Sequence, residues 1–218
     1  SYDTKNELCR LPVQKLCCAR AEAYGILLYC NTFSAAEVRI ITENPNFAAR
    51  LPKLFRRAFN LSCDRQPEKT QEEGKRVFQI TERKKLDHII NLLGFDPRQN
   101  LVLHVNFGLL EDECCRTAFM RGAFLAGGSV TDPHKRYHLE LATSHVPASR
   151  EVQALMELLC TSLSNETAEL KSQGVRMRFI GDVEALAEDV RAAIARSEKG
   201  VVGLILRDST TALQNKGF

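Results

Sequence analysis

CCARAEAYGILLYCNTF, residues 17–33, and CCRTAFMRGAFLAGGSV, residues 114–130, are one pattern written twice. Each copy opens on two adjacent cysteines, runs through small and apolar residues and closes on a polar or glycine-rich turn. The offset is 114 − 17 = 97 residues, and Gly25 and Gly122 fall at the same place in each copy. Both copies read as helices. A glycine inside a helix costs up to about 1 kcal/mol relative to alanine, and a tight helix–helix contact compensates for it. Ala21, Gly25 and Leu28 share one face of the first helix; Ala118, Gly122 and Leu125, with Ala126, share one face of the second. The two helices are therefore expected to pair through Ala21, Gly25, Ala118, Gly122 and Ala126.

The flanks of the two copies also match. After the first, AEVRIIT reads as a strand, NFAARLPKLFRRAFN as a helix, KRVFQIT as a strand and KKLDHIINLLGF as a helix closed by Gly94. After the second, YHLELATS reads as a strand and SREVQALMELLC as a helix with Ser149 at its N-cap; VRMRFI is a strand and VEALAEDVRAAIARSE a helix. TDPHKR and PEKTQEEGK read as hairpin connections, and LVLHVNF as an additional strand leading into the second copy. The expected architecture is α+β: two repeats of sheet and helices around a paired central helix axis. The first repeat spans 1–110 and the second 111–206, with a polar tail over 207–218.

These residues carry a resemblance. AEAYGILLYCNTF and AFMRGAFLAGGSV resemble the two signature helices of the LAGLIDADG homing endonucleases. With its flanking strands, the chain over roughly residues 1–158 is similar to the WhiA family, bacterial regulators built on a retired nuclease scaffold. The resemblance implies two curved antiparallel sheets forming a saddle over duplex DNA, and a role in cell division, chromosome segregation or sporulation control. From about Ser164 the likeness fades. ELKSQGVRMRFIGDVEALAEDVRAAIARSE instead resembles a short internal stretch of cis-prenyltransferases, whose diphosphate-binding Asp loop has no counterpart here. Divergence, fusion and design all stay open for this segment. The family's C-terminal helix-turn-helix domain is not recognisable in the chain.

LAGLIDADG nucleases place one carboxylate at the end of each signature helix, because a hard divalent cation needs oxygen ligands. Laid on this chain, the motif puts Cys30 and Gly127 at those positions; the nearest acids, Glu22, Glu37 and Asp132, lie several residues away. The expectation is no nuclease activity, no catalytic residue, no metal and no cofactor. No G-x-S-x-G elbow, Walker A loop or H-E-x-x-H motif offers another chemistry. His134, His138 and His145 are spaced irregularly and read as exposed polar residues rather than a metal site.

Strand alternation places Arg39, Arg176 and Arg178 on polar strand faces, Lys75 and Arg76 at a strand entry, and Lys135, Arg136 and His138 in a hairpin. On the saddle implied by the resemblance these eight would line the concave face and neutralise phosphates. The same residues also suit a merely solvated face, since Glu37, Glu43 and Glu140 lie among them. The helix face of Arg50, Lys53, Arg56 and Arg57 ranks second. Double-stranded DNA is the expected partner; the alternative is a scaffold for a protein partner.

Composition permits this reading without demanding it. The formal net charge is +3 and the sequence pI about 8.4, mildly basic where a dedicated nucleic-acid domain often exceeds about 9. The eight cysteines include no C-x-x-C pair, so they read as reduced, mostly buried thiols rather than a zinc loop or a disulfide framework. The N-terminus is polar and no apolar run approaches the roughly 18 residues of a membrane span. The expectation is a cytoplasmic protein, nucleoid-associated if it binds DNA. Internal duplication favours a monomer.

Overall fold

Leu16–Tyr29 forms a helix buried nearly all round, and Glu113–Gly127 forms the helix packed along it. In the computed structural model, which describes residues 2–13, 15–67, 74–96, 103–130, 139–152 and 154–156, the elements run α1 (Tyr2–Arg10), α2 (Leu16–Tyr29), β1 (Thr32–Phe33), β2 (Val38–Thr42), α3 (Pro45–Phe59), β3 (Arg76–Ile80), α4 (Arg83–Leu92), a 3-10 turn (Phe107–Leu109), α5 (Glu113–Gly127), β4 (Gly128–Val130) and β5 (Leu139–Leu141). A further helix, α6, begins at residue 146.

α5 runs directly into β4, and two residues separate α2 from β1. β1, β2 and β3 form an antiparallel sheet in that order, and β4 pairs antiparallel with β5. One face of the larger sheet is built from Val38 and Ile40 opposite Ile80 and Phe78, all buried. α3 supplies Phe47, Leu51, Leu54 and Phe55 to the same core. Each such side chain contributes about 1.5–3 kcal/mol on burial. α3 starts where the Asn44 side chain accepts from the Phe47 amide, with Pro45 at its first position, and ends on Asn60 in the left-handed region at φ 55°. Gly94, at φ 84°, follows α4.

Two expectations of secondary structure change, and one further helix is present. Residues 103–106 form no strand, although Leu103 and Val105 are buried in alternation. Side chains take the place of a neighbouring strand: the Val105 amide donates to the Glu151 carboxylate, while the Tyr24 hydroxyl donates to the His104 carbonyl and accepts from the Asn106 amide. Ser149 is not an N-cap. It sits inside α6, its amide bonded to the His145 carbonyl, because Pro147 already suits the first turn. α1 was not legible, since none of its residues is buried. Leu8 and Cys9 pack against the core as partly buried side chains, and polar contacts add to them: Lys5 Nζ donates to the Leu125 carbonyl, and Asn6 accepts from Asn44 and Asn46. The segment VRMRFI and everything from residue 157 on lie outside the described residues.

Candidate functional site

The crossing of α2 and α5 positions everything else. A Cβ at Gly25 would overlap the carbonyl oxygen of Phe119, and one at Gly122 would overlap the carbonyl oxygen of Glu22. Adding 97 to 22 and 25 gives 119 and 122, so the contact is reciprocal, as a local twofold requires. Only glycine lets the backbones approach this closely. Ala21 and Ala118 are buried on the same helices, and Ala126 is half-buried against the core.

Both helices end where the nuclease carboxylates would stand. Cys30 is buried, its thiol within 3.2 Å of the Leu27 carbonyl and 3.1 Å of the Thr32 carbonyl. Burial pushes that thiol up to about 12, against backbone contacts that lower it. Gly127 is wedged: a Cβ there would collide with the Ala142 carbonyl oxygen and meet Tyr29. Among the described residues, neither of these two motif positions carries a carboxylate.

Glu22, the acid inside α2, is fully buried and already spoken for. Arg50 Nε lies 2.5 Å from its Oε1 and Arg50 Nη2 2.9 Å from its Oε2, while Arg121 Nε and Nη2 reach Oε2 at 2.9 and 2.7 Å. Arg50 Nη1 also donates to the carbonyls of Cys9 and Leu11, which ties α1 to the triad. Charges buried this way persist only when paired and hydrogen-bonded. Arg50 is therefore committed to the interior and not to a phosphate-facing helix surface. No sequence signal marked the triad, because its members are 28 and 99 residues apart.

The open face of the larger sheet is a different environment. Register pairs Thr32 with Arg39 and Arg39 with Gln79, and an isolated bridge pairs Gln79 with Arg65. Directly opposed residues point to the same side of a sheet, so Arg39 and Arg65, both exposed, flank Gln79 on one row. Gln79 donates to Glu37 across 2.7 Å. The next row is the half-buried pair Ile41 and Val77. Lys75 is exposed at the strand entry. Arg76 is not on this face: it is 7% exposed, pairs with Thr42 on the core side, and its Nη1 donates to the carbonyls of Glu43 and Gly74. Alternation from Phe78 and Ile80 puts it inward. Arg65 escaped the sequence reading because it precedes β3 as a single bridge rather than within a strand-like run. Lys135, Arg136, His138, Arg176 and Arg178 lie outside the described residues, as does His134. His145 is half-buried rather than exposed, and its burial lowers its pKa.

The cysteines also depart from expectation. Cys17 is exposed, and the side chains of Cys17, Cys18, Cys114 and Cys115 converge. A zinc loop draws its thiols from one segment; here the thiols come together from two helix starts 97 residues apart.

A paired-helix α+β domain with a duplicated sheet and no carboxylate at either helix end defines a LAGLIDADG-like fold stripped of its nuclease ligands. A WhiA LAGLIDADG-like domain profile matches residues 116–197. The chain is 28% identical over 191 residues to the "Probable cell division protein WhiA" of Ruminiclostridium cellulolyticum, covering 84% of this chain and 60% of that protein. With the protein of the same name from Alkaliphilus metalliredigens it is 31% identical over 168 residues, covering 72% and 53%. The crystal structure of the N-terminal LAGLIDADG domain of DUF199/WhiA superposes with a TM-score of 0.50 at 19% identity, over 75% of this chain and 74% of that one. Full-length DUF199/WhiA from Thermatoga maritima gives a TM-score of 0.50 at 18% identity, over 90% and 73%. The chain is a relative of WhiA and shares that family's LAGLIDADG-like fold. It spans 60% and 53% of the length of these two curated relatives. The profile match runs to residue 197, past Ser164 and through nearly all of the segment that locally resembles a prenyltransferase.

Proposed function

We propose that this chain is the LAGLIDADG-like part of a cell-division regulator, which holds duplex DNA on the open face of the β1–β2–β3 sheet and does not cut it. The observation that carries the reading is the pair of exposed arginines, Arg39 and Arg65, that flank half-buried Gln79 on a fold whose two metal-ligand positions are Cys30 and Gly127. Arginines on such a row neutralise phosphates, and the resulting affinity falls steeply with salt. Gln79 adds an amide that reads base edges or sugar oxygens only when it leaves Glu37. With Cys30 and Gly127 at the two motif positions, neither signature helix supplies the carboxylate that would hold magnesium beside a water.

A second reading rests on the neighbouring row. Ile41 opposite Val77 makes the centre of the same face apolar, which suits a protein partner better than a phosphate backbone. Fluorescence anisotropy with labelled duplex separates the two. Salt-sensitive binding without cleavage in magnesium, weakened by Arg39→Ala, supports the DNA reading. No binding at low salt removes it and leaves the scaffold. Cleavage by the purified chain sinks the non-catalytic assignment. Chromosomal association in the cytoplasm follows from the DNA reading; among the described residues no helix is long and apolar enough to cross a membrane.

A further inference from the structure

The two Cys-Cys pairs that open the repeated motifs meet at one point. Cys17 and Cys18 stand in the first turn of α2, and Cys114 and Cys115 in the first turn of α5. All four sulfur atoms lie within 4.8 Å of one another. The Cys18 thiol donates to the Cys114 carbonyl at 3.7 Å, tying the two helix starts together. Adding 97 maps 17 onto 114 and 18 onto 115, so the cluster obeys the local twofold of the helix crossing. All seven described cysteines are free thiols.

We propose that these four cysteines form a tetrahedral thiolate site for zinc, joining the N-termini of the two signature helices and hence the two repeats. With zinc–sulfur bonds of about 2.3 Å, the sulfur–sulfur edge of a tetrahedron is about 3.8 Å, so the observed cluster closes onto an ion with shifts of about 1 Å or less. Four thiolates from the protein and no open position make the structural class of site rather than the catalytic one. Soft sulfur donors favour zinc over magnesium or calcium. Both helices start without a side-chain N-cap hydrogen bond, which leaves the positive ends of two helix dipoles beside the sulfurs to stabilise negative charge. Lys15 Nζ, 3.9 Å from Cys114 Sγ, adds a cation; Glu113 on the first turn of α5 opposes it. Loading exchanges four thiol protons, released to solvent, for one divalent cation, with no change of oxidation state. Cys17 is exposed, which gives the ion a route in.

The site is testable with the whole chain, purified under reducing conditions and stripped with chelator. Cobalt(II) titration should give the visible bands of a tetrahedral ion and the near-ultraviolet thiolate charge-transfer band, saturating at one ion per chain, and zinc should displace it. Zinc should raise the melting temperature of the wild type. Cys17→Ser with Cys114→Ser should weaken metal binding by more than about 100-fold, beyond the 10–100-fold that follows loss of an outer-shell partner, and abolish the thermal shift. Circular dichroism checks that this variant is folded; if it is not, the single exposed-site variant Cys17→Ser replaces it with the same expected loss of the cobalt spectrum. A reduced, folded wild-type chain that gives no cobalt spectrum overturns the proposal. So does a spectrum unchanged in the variant, or mass mapping of the chain taken directly from cells that finds Cys17–Cys115 and Cys18–Cys114 as disulfides.

Discussion

Glu22 shows how much one residue can decide. Its carboxylate is fully buried and both oxygens are held by arginines that are themselves only 11% exposed. Removing the acid leaves two guanidinium groups without a counter-charge in the interior. Glu22→Gln is expected to lower stability by about 3–5 kcal/mol, read as the shift in urea midpoint. Replacing Glu22, Arg50 and Arg121 together by methionine should recover most of that loss; no recovery would mean that the ties from Arg50 to Cys9 and Leu11 matter more than charge balance. The glycines at the crossing act sterically. Gly25→Ala and Gly122→Ala should each lower stability by about 1–3 kcal/mol, and the double variant should depart from additivity because each glycine faces the other helix's backbone. A wild-type urea midpoint in either single variant would show that the helices can separate at little cost.

At the level of elements, the start of α4 depends on a residue far behind it. Asp64 accepts from the amides of Thr81 and Glu82 at 2.7 and 2.8 Å and pairs with Lys85. Partial desolvation acts to raise its carboxyl pKa, but Lys85 and the two amides outweigh this and hold it at about 2. The folded value lies below the ordinary carboxylate value, so the unfolded chain binds the extra proton first. The contribution of Asp64 is therefore complete above about pH 4 and is lost as pH falls towards 2. Asp64→Ala should cost about 1–2 kcal/mol at neutral pH, the worth of a side-chain cap, with the gap from wild type closing between those two pH values. A gap that persists to pH 2 would assign the effect to packing. α3 gives a companion case. Asn60 closes it in the left-handed region, and the side chains of Arg20 and His88 reach the carbonyls of Ala58 and Phe59 beside it. The end of this helix is thus satisfied by its neighbours as well as by its own cap.

Across the whole molecule, the sheet hung from α2 presents its apolar side to the core and its arginine row outward, and this division sets what the domain can bind. If Arg39 and Arg65 each contact a phosphate, Arg39→Ala with Arg65→Ala should reduce the slope of log affinity against log salt by about 2. Arg76→Ala should leave the slope unchanged while lowering stability, because that side chain serves the carbonyls of Glu43 and Gly74. Equal loss of DNA affinity in Arg76→Ala and Arg39→Ala would place the nucleic acid somewhere other than the open face. A second basic surface lies between α1 and α3, a groove of about 490 Å³ lined in part by Arg10, Lys53 and Arg57. Binding that survives the loss of Arg39 and Arg65 would direct attention there.

The repeat, its offset of 97 and the matching glycines and cysteines are properties of the sequence alone. They suffice for the duplicated α+β fold, because a helix with small residues at one face has few ways to bury itself. The vacated carboxylate positions are likewise legible, since a one-dimensional motif states what stands at each place. β2, β3, α3 and α4 follow from local periodicity, which is a local property. What only the tertiary structure decides is company. Whether Arg50 meets Glu22 or solvent, whether Arg76 turns to the core, and whether Arg65 joins the row of Arg39 depend on register and on helix approach. The same holds for the cysteines. Two adjacent pairs 97 residues apart carry no zinc-loop spacing, and only the close crossing permitted by Gly25 and Gly122 brings their four sulfurs within 4.8 Å.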